Sequence, residues 1–434
     1  MKPETLKPLP YMKTVFTKWM LLLTFVISAN GLQAQTSLTS SHPGQPRLAD
    51  GANGTSCTDD GDDWMRRLPD DTFVAKVSIP GAHDSATGDG FESSFADMGD
   101  SFARTQELSI NEQWNIGIRA FDLRPASYDG YLHTHHGIIP TSRRFDDILY
   151  QLRDSLKAHP SEFVVIHMLH AKDGDQNDNY NSQITTLLKS NELKDYLVDF
   201  KRDLRVKDVR GKILILSRDK YATTPIGGFF ESWTGSADWG AMTSVKIVGS
   251  NNVKAPCYVQ DFSETHANGA LQTKQNAIKQ LLRYSMTYKN DKSYNTIWFF
   301  NFASAYSKVV SLFGSNISTS DGYRDNATYT HATIIDYLNT AAKAGPTGVV
   351  LMDYVGVDQT GEYKTLGREV VKTIIANNFK YLTDKVEEEL SVQTPKDEAQ
   401  ILDIHNLNGM RLVEPQQGSI NIIRYTDGTT RKTI

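Results

Sequence analysis

Four short segments of this chain carry acidic, basic and imidazole side chains at spacings that suit chemistry on a phosphate ester. The segments are "IPGAHDS", "GIRAFDLR", "YLHTHHG" and "VVLMDYV", and the side chains of interest are His83, Asp84, Asp122, Arg124, His136 and Asp353. Two histidines can work as a pair near neutral pH because one imidazole accepts a proton while the other donates one. An arginine beside them can stabilise the charge that grows on phosphate oxygens. These residues therefore indicate phosphoryl transfer by general acid–base catalysis.

The segment "GIRAFDLR" predicts how two of these side chains are presented. A strand has a period of two, so Asp122 and Arg124 lie on one face and Phe121 and Leu123 on the other. If the apolar face meets surrounding helices, the Asp/Arg pair points into the mouth of a barrel. A buried arginine needs charge partners, and Asp122 and Asp84 are the obvious candidates. A purely structural ion pair is the alternative interpretation.

The elements that must position these residues follow from a repeated pattern of strands and helices. Short β-branched and aromatic runs recur with helix-like segments between most of them: "TFVAKVSI", "IGIRAFDLR", "FVVIHML", "KILILSR", "PCYVQDF", "NTIWFFNFA" and "GVVLMDYV". Seven or eight such strands predict an α/β fold, a TIM-like (β/α)8 barrel with distortion allowed, whose carboxyl-terminal strand ends carry the site. An open doubly wound sheet is disfavoured because the first strand lacks a GxGxxG turn. In this interpretation Pro80 and Gly81 turn the first strand at the rim.

The chain divides into four predicted segments. They are 1–34 (signal peptide), 35–63 (flexible linker), 64–380 (barrel) and 381–434 (linker plus a small β-hairpin tail). Lys13 and Lys18 precede the apolar run "WMLLLTFVISA", which predicts export to the periplasm, the outer cell surface or the medium. The tail loosely resembles C-terminal sorting regions of an outer-membrane secretion system, and a plain structural appendage is the alternative.

The composition excludes one broad class of partner. The 434 residues have a formal net charge of -5 and no Lys/Arg block, whereas a nucleic-acid-binding surface needs a basic stripe. Cys57 and Cys257 are the only cysteines, so a disulfide and two free thiols both stay open. We expect a monomer.

The segments "IPGAHDSAT", "GIRAFDLRPA", "LHTHHG" and "VLMDYV" resemble the X-domain signatures of the bacterial phosphatidylinositol-specific phospholipases C. They stand in the family's usual order, and the resemblance covers roughly Trp64 to Asn378. It implies a lyase that acts on phosphatidylinositol in membranes. The implied products are diacylglycerol and 1D-myo-inositol 1,2-cyclic phosphate.

The resemblance also implies roles for the two histidines. His83 matches the general base that takes the proton from the inositol 2-hydroxyl as that oxygen attacks phosphorus, and Asp353 matches the carboxylate that orients it. His136 matches the general acid that protonates the leaving diacylglycerol oxygen. His133 and His135 lie on the opposite face of the same strand, and we interpret them as packing residues.

The arginine has a matching role in the family. Arg124 matches the phosphate-binding arginine, Asp122 the residue that supports it, and Asp84 the carboxylate that couples the second histidine to it. Eukaryotic relatives bind Ca²⁺ near this site through acidic and amide side chains. A fixed guanidinium there makes such an ion redundant and electrostatically unfavourable. The resemblance therefore implies neither a metal nor a cofactor.

Substrate and membrane contacts are predicted at other strand ends. Arg218 and Asp261 match positions that hydrogen-bond inositol hydroxyls, with solvated strand ends as the alternative. The family often has a lysine after the fourth strand, where "FVVIHMLHAKDG" offers His167, His170 or Lys172 without a clear match.

A predicted aromatic loop, "GGFFESWTGSADWGAM" over 227–242, supplies candidates for membrane contact, Trp233 and Trp239. The segment "FESSFADMGDSF" is a second candidate, and buried loop packing is the alternative for both.

Two other functions stay open. A metal-dependent glycerophosphodiester phosphodiesterase on the same barrel would need carboxylates around an ion, and Arg124 disfavours it. A catalytically inactive lipid-binding or adhesion module would have no reason to keep two titratable histidines with their carboxylates. The choice between phosphatidylinositol and glycosylphosphatidylinositol as substrate also stays open.

Overall fold

The computed structural model describes residues 63–233, 242–287, 292–312, 315–342, 344–358, 362–382, 401–406, 410–416, 420–426 and 430–433. All of these lie in one compact unit, Pro46–Ile434. The predicted signal peptide, the linker up to residue 62, Cys57 and Trp239 lie outside the described residues. Within the described ranges, no helix combines the length and the apolar character needed to cross a bilayer.

The strands of the described residues are short. In the first half of the chain they are β1 (Ile79–Ala82), β2 (Ala120–Leu123), β3 (Pro125–Ser127), β4 (Leu132–His136), β5 (Ile139–Arg144), β6 (Val164–Met168), β7 (Ile213–Ser217), β8 (Gly228–Glu231) and β9 (Thr243–Gly249). In the second half they are β10 (Lys254–Gln260), β11 (Trp298–Phe302), β12 (Val309–Leu312), β13 (Ser315–Ser318), β14 (Val349–Met352), β15 (Ile401–Asn406), β16 (Arg411–Leu412), β17 (Asn421–Tyr425) and β18 (Thr430–Thr433).

The described helices connect these strands and cover the barrel. They are α1 (Ala96–Phe102), α2 (Ile110–Asn115), α3 (Phe145–Ala158), α4 (Tyr180–Leu188), α5 (Val206–Val209), α6 (Ala270–Thr287), α7 (Ser320–Thr340) and α8 (Gly367–Tyr381). The apolar residues of α3 recur at helical spacing and are buried: Ile148, Leu149, Leu152 and Leu156. Helix α6 contacts β10 and β11, and α8 contacts β1.

Nine of the described strands close into a barrel in the order β1-β14-β11-β10-β9-β8-β7-β6-β2. The ring closes because β1 pairs in parallel with both β14 and β2. Only β9 runs against its neighbours β8 and β10. The other barrel strands therefore end at one rim, where side chains from distant parts of the sequence meet. The predicted TIM-like barrel is confirmed, in a distorted form.

The prediction for the first strand was wrong in its details. Val74–Lys76 is a 3-10 turn, and Pro80 and Gly81 lie inside β1 instead of turning it. A Cβ atom on Gly81 would lie 2.7 Å from the Leu351 side chain and 2.9 Å from Ala120 Cβ, so glycine allows the three strands to approach closely. Proline is normally excluded from central strands, which is why the sequence suggested a turn.

The prediction for the segment after β7 was also wrong. The predicted aromatic loop begins with a barrel strand, since Gly228–Glu231 forms β8 and pairs with β9. Phe230 is consequently buried in the barrel wall. This extra antiparallel pairing accounts for nine strands where the sequence predicted seven or eight.

The C-terminal part of the chain confirms the predicted β-rich appendage but is larger than a hairpin. Its four strands pair antiparallel in the order β16-β15-β17-β18. Ile404 of β15 and Ile423 of β17 are directly paired and are both buried. The two isoleucines give this small sheet an apolar centre of its own.

Candidate active site

A cavity of about 410 Å³ opens at the carboxyl-terminal rim of the barrel. The sequence-predicted residues that line it are His83, Asp84, Arg124, His136, Arg218 and Asp261. Asp122 and Asp353 are fully buried and contact the lining residues from below. The structure thus brings together all eight residues predicted to act in catalysis or headgroup binding.

Strand register places His83 against Asp353. Ala82 pairs with Met352, so the next residue of each strand leaves the rim at the same level. His83 Nδ1 lies 2.7 Å from Asp353 Oδ1, and one proton is shared in this contact. The chain then turns sharply at Asp84, whose φ of 43° is in the left-handed region. With the proton on Nδ1, the lone pair of His83 is at Nε2.

Arg124 follows β2 and contacts two carboxylates and the histidine. Its Nη2 lies 2.9 Å from Asp122 Oδ2 and 2.9 Å from His83 Nε2. Its Nε lies 2.8 Å from Asp84 Oδ1 as an ion pair. The Arg124 side chain remains 19% exposed, whereas both carboxylates are buried, so the guanidinium is the most exposed group of these three.

His136 reaches the cavity from outside the barrel sheet. It ends β4, in a three-stranded sheet of order β3-β4-β5 that follows β2. Its Nδ1 donates to the carbonyl of Ala103 at 2.7 Å, and Asp84 Oδ2 lies farther away, at 3.7 Å. Its Nε2 is 3.3 Å from the hydroxyl of Tyr323. The Ala103 contact fixes the proton on Nδ1 and leaves Nε2 to face the cavity.

Burial dominates the protonation of the site. Burial and the neighbouring Arg124 charge hold the pKa of His83 well below its usual range and lower the pKa of His136 to about 4. Burial raises the pKa of Asp353 and of Asp84 above the usual aspartate range, and the Arg124 charge opposes that shift for both. Both imidazoles are therefore neutral at neutral pH in the free protein.

Arg218 and Asp261 form a separate pair on the cavity wall. Arg218 Nη1 is 3.5 Å from Asp261 Oδ2, and both side chains are partly exposed. Trp233 donates its Nε1–H to Asp261 Oδ2 at 3.1 Å, and the Arg218 guanidinium lies 4.5 Å from the Trp233 ring centre. This packing disfavours the prediction that Trp233 contacts a membrane, because its ring is held within the pocket wall.

Three side chains of the site are close enough together to be possible metal ligands. Ligand atoms of His83, Asp84 and Asp122 all lie within 4.8 Å of one another. The Arg124 guanidinium contacts all three of these side chains, so a cation bound there would have to displace it. The residues present therefore suit a guanidinium-filled site better than a metal centre.

The sequence did not single out two residues that contact the site. His167 was one of three unaligned candidates, and the register of β2 with β6 sets it directly beside Asp122. Tyr323 comes from α7 and lines the cavity next to His136. The only sequence signal for His167 was a polar residue inside an apolar strand, and Tyr323 had none.

Comparisons with known proteins find relatives in sequence and in fold, although no family model matches the chain. The 1-phosphatidylinositol phosphodiesterase of Listeria monocytogenes is 32% identical over 162 residues, which cover 36% of this chain and 48% of that protein. The match therefore spans about half the length of that relative. The protein of the same name from Staphylococcus aureus strain Newman is 25% identical over 321 residues, covering 71% of this chain and 93% of that protein.

Solved structures show the same fold. A variant of the phosphatidylinositol-specific phospholipase C from S. aureus has a TM-score of 0.57 at 22% identity and covers 73% of this chain and 99% of its own. The enzyme from L. monocytogenes has a TM-score of 0.52 at 24% identity, with 73% and 98% covered.

Proposed function

We propose that this chain, which is related in sequence and in fold to the bacterial phosphatidylinositol-specific phospholipases C, cleaves phosphatidylinositol to diacylglycerol and 1D-myo-inositol 1,2-cyclic phosphate. The observation that carries the proposal is that His83, Arg124 and His136 line one cavity, with Arg124 in contact with His83. Each imidazole has its Nδ1 engaged by the protein and its Nε2 directed to the site. This is the arrangement that a two-histidine acid–base reaction needs.

His83 is proposed as the general base. Its Nε2 takes the proton of the inositol 2-hydroxyl while that oxygen forms a bond to phosphorus. Asp353 stabilises the imidazolium that results, through the 2.7 Å contact to Nδ1. In the free protein Arg124 Nη2 donates to the same Nε2. A phosphate that draws the guanidinium onto its own oxygens would release this lone pair for catalysis.

His136 is proposed as the general acid. Its Nε2 gives a proton to the diacylglycerol oxygen as the phosphorus–oxygen bond breaks, so the proton taken by His83 is balanced by the one released. Burial and Arg124 lower the pKa of His136 to about 4, and a bound phosphodiester anion opposes the Arg124 contribution. Substrate binding thereby favours the protonated form that the step requires.

The charged residues around the histidines complete the proposed site. Arg124 stabilises the charge on the non-bridging oxygens, and Asp122 and Asp84 orient it. Arg218 and Asp261 can each hold two hydroxyls of an inositol ring. No metal takes part in the proposed reaction, because the guanidinium supplies the positive charge.

The proposed substrate lies in a bilayer, so part of the rim must touch lipid. The hairpin of β12 and β13 follows Ser304–Tyr306, which line the cavity, and Val310 on it is 38% exposed. We propose that this hairpin makes a peripheral membrane contact. We also propose that the protein is a monomer and that residues 1–34 are the signal for its export. Val310→Asp should weaken binding to phosphatidylinositol vesicles and spare turnover of a soluble substrate. Equal losses in both assays would contradict this contact.

Phosphorus NMR tests the reaction directly. The purified protein is incubated with phosphatidylinositol vesicles in EDTA, and we expect the resonance of a five-membered cyclic phosphate to appear. Failure of the wild-type protein to form it with or without added Ca²⁺ would contradict the proposed function. A strict Ca²⁺ requirement would contradict only the metal-independent site. A parallel incubation with a glycosylphosphatidylinositol-anchored protein shows which inositol lipid is preferred.

A further inference from the structure

His167 lies beside Asp122, the carboxylate that contacts Arg124, and is not among the residues that line the cavity. It is on β6, is 1% exposed and pairs in register with Asp122 of β2. Its Nδ1 lies 2.7 Å from Asp122 Oδ1. A carboxylate accepts hydrogen bonds, so this contact fixes a proton on Nδ1 and makes His167 the donor.

The two oxygens of Asp122 are held by different partners. Oδ1 accepts from His167, while Oδ2 accepts from Arg124 Nη2 at 2.9 Å and from the Asp84 backbone N–H at 3.2 Å. The terminal torsion of an aspartate is broad, so a carboxylate held on one side only can turn. Contacts to both oxygens fix the plane of the carboxylate and thereby the direction in which it holds the guanidinium.

The rest of the His167 ring is enclosed by aromatic side chains. Its centre lies 5.2 Å from that of Trp233, 5.3 Å from that of Phe302 and 6.0 Å from that of Phe230. Its Nε2 is buried without a hydrogen-bond partner among the described residues. The polar contact that the ring makes there is with Asp122. A histidine used only for packing would not need its one hydrogen bond at this carboxylate.

We infer that His167 is a positioning residue for phosphoryl transfer: it locks the Asp122 carboxylate, which in turn aims Arg124 at the phosphate and at His83 Nε2. The inference rests on the proposed function for its catalytic part, since it names the residue that sets the arginine. Orienting contacts of this kind are worth about 10-fold to 100-fold in activity or affinity at comparable sites.

Three substitutions of His167 separate positioning from packing. His167→Leu fills the space and removes the donor. His167→Asn puts an amide nitrogen near the place of Nδ1, and His167→Gln puts it near Nε2. We expect kcat to fall by about 10-fold to 100-fold in His167→Leu and His167→Gln, and to stay near wild type in His167→Asn. If His167→Leu does not fold, the Asn and Gln variants still decide the inference.

A double-mutant cycle with Asp122→Asn shows whether the effect runs through that carboxylate. We expect His167→Leu to cost little once Asp122 has been replaced, because the residue it orients is gone. Equal kcat losses in the Asn and Gln variants, or independent losses that multiply in the double mutant, would overturn the inference. Wild-type kcat in His167→Leu would overturn it as well.

Binding of inorganic phosphate, followed by titration calorimetry, tests the same residue without the lipid reaction. His167→Leu should weaken the phosphate affinity by about 10-fold, and His167→Asn should retain it. Unchanged affinity in His167→Leu overturns the positioning of Arg124, whether or not the protein cleaves phosphatidylinositol. The matched control is His159→Asn, since His159 also contacts an aspartate, Asp63, through Nδ1 at 2.9 Å but lies before β6, at the opposite end of the barrel.

Discussion

Arg119 and Arg124 stand at opposite ends of β2, and both are paired with carboxylates inside the barrel. Arg119 is fully buried and donates through Nε to Glu162 Oε2 at 2.9 Å. Its Nη1 donates to the carbonyls of Trp114 and Ile118 at 2.9 and 2.8 Å, and its guanidinium lies 3.8 Å from the Trp114 ring centre. Every side of this arginine is covered by protein, so it can bind nothing further.

Arg124 is also paired with carboxylates, but its side chain is partly exposed to the cavity. Asp84 and Asp122 hold one edge of its guanidinium, and the rest of the side chain lines the cavity beside His83 and His136. The difference shows how one strand serves two purposes. The covered pair at the amino end contributes to stability, whereas the open pair at the carboxyl end keeps donor capacity for an anion.

The largest expected effect comes from removing the proposed base at the open end. His83→Ala should lower kcat for cyclic phosphate formation by about 10²-fold to 10⁴-fold, because proton removal from the 2-hydroxyl loses its acceptor. The rate is measured by phosphorus NMR on phosphatidylinositol vesicles, and the thermal unfolding midpoint is measured alongside it. His159→Ala removes a histidine–aspartate contact at the amino end and should leave kcat unchanged. Similar kcat losses in both variants would break the comparison between the two ends.

The covered arginine should show the opposite response. Arg119→Met leaves Glu162 buried without its charge partner, and breaking a buried pair in this way costs about 3–5 kcal/mol in the free energy of unfolding. Urea denaturation measures that loss. Turnover per folded molecule should match wild type, since Arg119 has no contact with the cavity. A large fall in kcat at full folding would show that the amino end takes part in catalysis.

Arg124→Lys tests whether the open end needs the shape of a guanidinium or only its charge. Lysine keeps the positive charge but cannot contact Asp84, Asp122 and a phosphate with a planar fork. We expect kcat/KM to fall by about 10²-fold to 10³-fold, with an unfolding midpoint near that of wild type. The same variant should not gain activity when Ca²⁺ is added. Recovery with Ca²⁺ would indicate that the acidic cluster can replace the arginine by a metal.

The sequence predicted the residues at the carboxyl-terminal rim of the barrel for a physical reason. His83, Asp122, Arg124 and Asp353 are polar residues at the ends of apolar strands, and parallel barrel strands deliver such ends to one rim. That argument needs no knowledge of register. His167 could not be chosen from its neighbours without the register of β2 with β6, which only the closed barrel supplies. The extra strands β8 and β9 were hidden for a related reason, because an aromatic run fits a rim loop and a barrel wall equally well.

Two adjacent histidines repeat the contrast between open and covered groups on a smaller scale. His136 faces the cavity, whereas His135 is 3% exposed and packs against Tyr128. The space around His135 is tightly filled, since a Cβ atom on Gly174 would lie 2.5 Å from His135 Nδ1. Burial and the nearby His133 lower the pKa of His135 to about 3. Since the folded pKa is below the usual 6.5, this group stabilises the fold fully above pH 6.5 and loses that contribution as the pH falls toward 3.

The smallest expected effect is the loss of folding stability at low pH that His135 causes. Between pH 7 and pH 5 the unfolded chain binds a proton at position 135 that the folded protein excludes, which lowers the free energy of unfolding by about 2 kcal/mol. His135→Leu removes the titrating group. Between pH 7 and pH 5 its free energy of unfolding, measured by urea denaturation, should therefore fall by about 2 kcal/mol less than that of the wild-type protein. An identical acid response in the two proteins would mean that His135 titrates while folded. The description of His135 as a group covered by its neighbours would then be wrong.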